Sequence, residues 1–87
     1  IQTERRAMAT KLLKFHDVAS RVTGSRSSIY ARIKAGTLPP PIRISSQSAA
    51  WVEHEIEAVL RAQIAGKSGE DLKNIVSDLV RQRQQAA

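Results

Sequence analysis

Cysteine is missing from this chain, which excludes disulfides and thiolate metal sites and makes a reducing cytosol the expected home. Long hydrophobic runs are missing as well. None approaches the roughly 20 apolar residues of a membrane span, and nothing resembles a signal peptide, so a soluble protein is expected. Aromatic side chains are scarce, with one Trp, one Tyr and one Phe, and at 87 residues the chain is short enough that a single modest core is expected. Its two histidines, His16 and His54, lie far apart and lack a ligand-like spacing. His16 beside Asp17 is no triad, because catalysis needs a nucleophile, base and orienter that converge. No enzyme activity, metal or cofactor is therefore expected.

What is present in excess is positive charge, and it is unevenly placed. Residues 1–51 carry nine Lys and Arg against Glu4 and Asp17, a net of +7, whereas residues 52–87 carry five basic and six acidic residues, a net of −1. A basic half is where a polyanion binds, because neutralising phosphates releases counterions and supplies sequence-independent affinity. A solvated basic surface is the bland alternative.

Residues 1–10 are polar and without clear periodicity, and are expected to form a flexible basic arm carrying Arg5 and Arg6. Lys11 to Phe15 has the apolar content of a brief strand. A helix beginning near His16 or Asp17 then buries Val18, Ala19 and Val22 and ends near Thr23 and Gly24. In the next helix Ser25 is the expected N-cap, Ile29 and Ile33 share one face, and Gly36 with the prolines at 39, 40 and 41 terminates it. Two short helices joined by a tight glycine-containing turn form a helix-turn-helix pattern.

Beyond the prolines, Ile42, Arg43 and Ile44 alternate as in a half-buried strand with Arg43 outward. Residues 45–48 supply a polar turn and Ala49, Ala50 and Trp51 return antiparallel, closing a small hairpin, or wing, over a buried Trp51. A third helix from about Val52 to Ala65 has the acidic first turn of Glu53 and Glu55, the apolar stripe Ile56, Val59, Leu60 and Ile64, and a stop at Gly66. A fourth opens at Ser68, with Asp71 completing an arrangement like a capping box. Its stripe of Leu72, Ile75, Val76, Leu79 and Val80 must be covered by the domain itself, by a second copy or by another protein. The tail from Gln82 is expected to fray.

In a helix-turn-helix the second helix enters the major groove. With the Ile29 and Ile33 face inward, rotation by about 100° per residue leaves Ser27, Ala31 and Lys34 facing outward, with Ser28 and Tyr30 on the flanks. Small groups at 27 and 31 permit close approach to base edges, where the alanine methyl could touch a thymine methyl and Lys34 could reach outward. Arg26 is long enough to curl to a phosphate or a guanine. The bland readings are that Ser25 only caps the helix, that Arg26 and Lys34 are solvated, that Tyr30 is a partial core residue, and that the proline triplet only turns the chain.

The segments KLLKFHDVASRV, SRSSIYARIKAGTLPPPIRI and AAWVEHEIEAVL resemble the AlpA family of small prophage-associated transcription regulators, whose fold is related to excisionases and MerR-type DNA-binding domains. That resemblance implies a mainly α, winged helix-turn-helix domain over residues 11–66, with an extra C-terminal helix and tail over 67–87. It makes residues 25–35 the recognition helix and lets the hairpin from Ile42 to Trp51 touch the backbone, so the expected contacts to duplex DNA are Ser25, Arg26, Ser27, Ser28, Tyr30, Ala31 and Lys34, with Arg43, Ser46 and Gln47 on the hairpin. The chain departs from the family pattern in three places. Thr23 stands where a glycine is usual, Ser45-Ser46-Gln47 replaces a Gly-Gly-Arg wing tip, and the fourth helix lies beyond the usual core.

Three functions compete. The leading expectation is a sequence-specific transcription activator in the bacterial cytoplasm, bound at the nucleoid. An excisionase-like recombination directionality factor would instead bind adjacent sites as several copies and bend DNA. In the third, the stripe of Leu72, Ile75, Val76, Leu79 and Val80 is a partner-binding surface for RNA polymerase or a neighbouring copy, so that the protein acts as an antitermination factor.

Overall fold

Among the described residues, four helices and a small antiparallel sheet follow one another in the order β1 (Leu12–Leu13), α1 (Phe15–Val22), α2 (Arg26–Ala35), β2 (Ile42–Ser45), β3 (Ser48–Val52), α3 (Glu53–Ile64) and α4 (Gly69–Ala86). The computed structural model describes residues 11–86, with side chains to residue 84, so the arm expected at 1–10 lies outside the described residues. The sheet order is β1-β3-β2, with Leu12 opposite Val52, Leu13 opposite Trp51 and Ile42 opposite Ala50. The wing is thus tied to the start of the domain by its inner strand. This architecture is consistent with the expected winged helix-turn-helix.

Leu13, Val18, Ile29, Leu38, Trp51, Ile56 and Val59 form the centre of the core. Leu38 and Pro39, in the segment between α2 and β2, are fully buried, so the proline segment is a packed connector. Trp51 is buried as expected, although its indole N–H finds no acceptor among the described residues. An unpaired buried donor detracts from what the ring's burial contributes.

The turn between α1 and α2 divides its demands between two residues. Thr23 takes the left-handed conformation itself, at φ 51° and ψ 56°. Gly24 is needed for space, because a Cβ there would meet Ser28 Oγ at 2.9 Å and Ile29 Cγ1 at 3.3 Å. A β-branched residue in the left-handed region is strained by roughly 1–2 kcal/mol, and glycine would relieve it while gaining unfolded-state entropy. Thr23→Gly is therefore expected to stabilise by about 0.5 kcal/mol, read as a higher urea midpoint.

Four expectations are corrected. Ile44 is 52 % exposed, not half-buried, because the β2–β3 register shifts between Arg43 and Ser45 and breaks the alternation. The polar turn is narrower than expected, with Ser45 and Ser48 paired in the ladder. Ile64 is 86 % exposed, because α3 buries Glu55, Ile56, Val59 and Ala62, a stripe rotated about one residue from the one read in the sequence. The tail from Gln82, read as an irregular end, is helical as far as Ala86.

Arg83 ties the last part of α4 to α3 and to the proline connector. Its Nε and Nη2 donate to the Glu55 carboxylate at 2.8 and 2.5 Å, and Nη2 also donates to the Pro40 carbonyl at 2.8 Å. At the other end of α4, the Ser68 and Asp71 box forms in both directions: Ser68 N–H donates to Asp71 Oδ2 and Asp71 N–H donates to Ser68 Oγ, each at 3.3 Å. The apolar stripe between these ends is covered by the chain itself. Leu72 and Val76 are buried in the core cluster, and Ile75, Leu79 and Val80 pack half-buried against it. The domain is thus the occupant among the three alternatives.

Candidate nucleic-acid interface

The interface begins with a local hydrogen-bond set at the head of α2. Ser25, in extended conformation, accepts the Ser28 N–H on its Oγ at 3.2 Å, and Ser28 Oγ donates back to the Ser25 carbonyl at 3.0 Å. Ser27 Oγ lies 3.4 Å from Ser25 Oγ. These serines therefore present small polar groups at a helix N-terminus, where unpaired N–H groups and the helix dipole favour an anion. At the far end Gly36, with φ 87°, closes the helix, and its N–H donates to the Ile33 carbonyl at 3.1 Å. Arg32 holds this end in place. Its Nη2 donates to the Thr37 carbonyl at 3.4 Å and to Gln63 Oε1 of α3 at 3.1 Å, and desolvation lowers its pKa. An arginine begins so high that the charge persists at neutral pH.

Ile29 is fully buried and Ile33 packs half-buried on the core, while Ser27, Ala31 and Lys34 are exposed. The outward edge inferred from helical rotation is thus the edge open to solvent. Lys34 makes no hydrogen bond or ion pair among the described residues. Tyr30 is exposed yet also stacked, its ring parallel to Phe15 at 6.1 Å between centroids. Arg26 lies over the face of Phe15, with Cζ 4.0 Å from the ring centroid.

On the wing the arrangement is less open. Arg43 is exposed, but its Nη1 donates to the Ser46 carbonyl at 3.2 Å, and Gln47 N–H donates to Ser45 Oγ at 3.3 Å. A phosphate contact by Arg43 would have to share that guanidinium or displace the carbonyl. The acidic residues nearest in sequence to the wing are drawn elsewhere. Arg21 of α1 pairs with Glu53 at 2.9 Å and Glu57 at 3.4 Å, joining α1 to α3.

Two residues of this surface escaped the sequence reading. In the sequence Phe15 reads only as the end of a brief strand, and Arg32 belongs to no motif. Neither carries a local signal, since the partner of each lies at least five residues away.

The family described as Prophage CP4-57 regulatory protein (AlpA) matches residues 11–63. The chain belongs to the AlpA family. As a member of a regulatory family it carries no enzymatic assignment, in line with the expectation from the sequence. The chain is also similar to an uncharacterized protein, ORF88, of Enterobacteria phage P4, being 37 % identical over 43 residues, which cover 49 % of this chain and 49 % of that protein. The chain thus spans about half the length of this relative. No solved structure matches the chain significantly. The matched AlpA segment holds β1 to nearly the end of α3, so α4 is an addition to it. Among the described residues no helix is long and apolar enough to cross a membrane, and no cluster of His, Asp and Glu could hold a metal ion.

Proposed function

We propose that this AlpA-family chain is a sequence-specific duplex-DNA-binding regulator of transcription. In this reading α2 enters the major groove and the β2–β3 wing lies along the backbone. The observation that carries the proposal is the open edge of Ser27, Ala31 and Lys34 on a helix whose opposite face is locked into the core by Ile29. A rigid helix with small side chains at its closest points can approach base edges, and a free lysine beyond them can reach a phosphate or a base.

Binding to a duplex selected by the wild-type chain from a random pool is expected to fall steeply with salt. Lys34→Ala is expected to weaken it by about 1 kcal/mol and, where the lysine meets a phosphate, to reduce the salt slope by about one. Fluorescence anisotropy from low to high salt measures both. Equal affinity for all duplexes of one length would remove the sequence-specific reading.

The regulatory description of the family supports a transcriptional role over a recombination role. A promoter reporter paired with a circular-permutation bending assay tests this. Activation of the reporter is expected, and strong bending with an inert reporter would favour the excisionase-like alternative. The antitermination reading was motivated by an unoccupied stripe on α4, and that stripe lies on the chain's own core.

A further inference from the structure

Resting on the DNA-binding reading above, we infer that Phe15 is a positioning residue that holds Arg26 edge-out at the head of α2, as a preset fork for a paired acceptor on DNA. That acceptor is the O6/N7 edge of a guanine or two oxygens of one phosphate, which share the same planar geometry. Arg26 and Phe15 are the first residues of α2 and α1, so the turn between the two helices brings them together. The guanidinium carbon sits 4.0 Å from the Phe15 centroid.

The platform beneath it is fixed. Tyr30 stacks parallel to Phe15 at an interplanar angle of 6°, and the buried Trp51 meets Phe15 at 6.0 Å and 58°. Three rings from α1, α2 and β3 thus brace one another, and the Arg26 guanidinium carbon rests over the face of Phe15. In the parallel stack that arginine adopts on an aromatic ring, only the face of the guanidinium is occupied. Its five N–H groups lie in the plane and point outward along the edge.

Arg26 makes no hydrogen bond or ion pair among the described residues, although it is held in position. The other arginines there differ: Arg21, Arg61, Arg81 and Arg83 pair with carboxylates, and Arg32 and Arg43 donate to backbone carbonyls. An arginine that is oriented by a ring and has every donor free loses little rotamer freedom when it binds, so its bidentate contact is formed at low entropic cost. A lysine at the same place would keep the charge but neither stack as a plane nor present a fork.

The test uses the full chain and a fluorescein-labelled duplex carrying the sequence that the wild type enriches from a random pool. Arg26→Lys is expected to bind that duplex about tenfold more weakly, because a bidentate pair is lost while the charge remains. Phe15→Leu is expected to lose roughly two- to fivefold, the scale of an exposed cation–π contact, with no further loss in an Arg26→Ala background. Phe15→Tyr, which keeps the ring face, is expected to bind like the wild type. Replacing each G·C pair of the duplex in turn separates the two acceptors. Arg26→Ala loses discrimination at one pair if it reads guanine, and weakens all sequences alike with a salt slope lower by about one if it holds a phosphate. Either pattern supports the fork.

Arg26→Lys binding like the wild type overturns the inference without requiring any change at Phe15. So does Phe15→Leu weakening Arg26→Ala as much as it weakens the wild type, the result expected if the ring supports only the fold. A pool from which the wild type enriches nothing sinks the DNA reading itself, and the fork with it.

Discussion

Arg83→Met is expected to destabilise the domain by about 3–5 kcal/mol, the cost of leaving a buried charge without its partner. The Glu55 side chain is 2 % exposed and that of Arg83 is 23 % exposed, so water reaches the guanidinium but cannot replace it at the carboxylate. Among the described residues the two Glu55 oxygens are held by Nε and Nη2 of Arg83 alone. The same guanidinium donates to the Pro40 carbonyl, in the connector between α2 and β2, so its loss also releases that connector. Urea denaturation followed by the fluorescence of the single, buried Trp51 measures the effect. A double replacement, Glu55→Leu with Arg83→Met, is expected to recover most of the loss, because removing both charges also removes the desolvation penalty. A single variant as stable as the wild type would mean that the pair is not desolvated in solution.

Deleting residues 67–87 is expected to have a larger effect still, leaving a fragment that does not fold on its own. Full burial of one large aliphatic side chain is worth about 1.5–3 kcal/mol. The deletion removes buried Leu72 and Val76 and half-buried Ile75, Leu79 and Val80, uncovers α3, and orphans Glu55 as well. Total stabilities of small domains are only about 5–15 kcal/mol, so these losses together exceed what such a chain holds in reserve. Circular dichroism is expected to show lost helix beyond that contributed by α4, and Trp51 emission is expected to move to longer wavelength. A fragment that keeps its helices and a shielded Trp51 would show instead that the segment matched by the family is self-sufficient here and that α4 is an accessory.

This dependence gives α4 a definite place in function. The family segment ends at residue 63, yet the proline connector that sets α2 against the wing is held by a residue of α4. On the proposed DNA-binding reading, substitutions at Arg83 are therefore expected to act on α2 and the wing through the proline connector. The two consequences separate experimentally, since Lys34→Ala should change affinity at unchanged stability, whereas Arg83→Met should change stability first.

What the sequence by itself determined is everything decided within about one helical turn. Ser25 caps α2, Gly36 closes it, Ser68 and Asp71 open α4, and Ser27, Ala31 and Lys34 share an outward edge, because caps are hydrogen bonds across three or four residues and helical rotation is fixed by the backbone. The tertiary structure alone decided which apolar residues found a neighbour and which charges found a partner. Ile64 continues an apolar spacing but extends past the packed face of α3, while Ala62 is buried in its place. Glu55 reads as a first-turn acid suited to the helix dipole, but it is buried against an arginine 28 residues away. Ile44 turns outward because a register shift interrupts the ladder, and Phe15 meets Arg26 because the turn at Thr23 and Gly24 folds one helix start onto the other. Each of these outcomes depends on the distance between segments remote in sequence, and burial is a property of the space between elements, which no single element encodes.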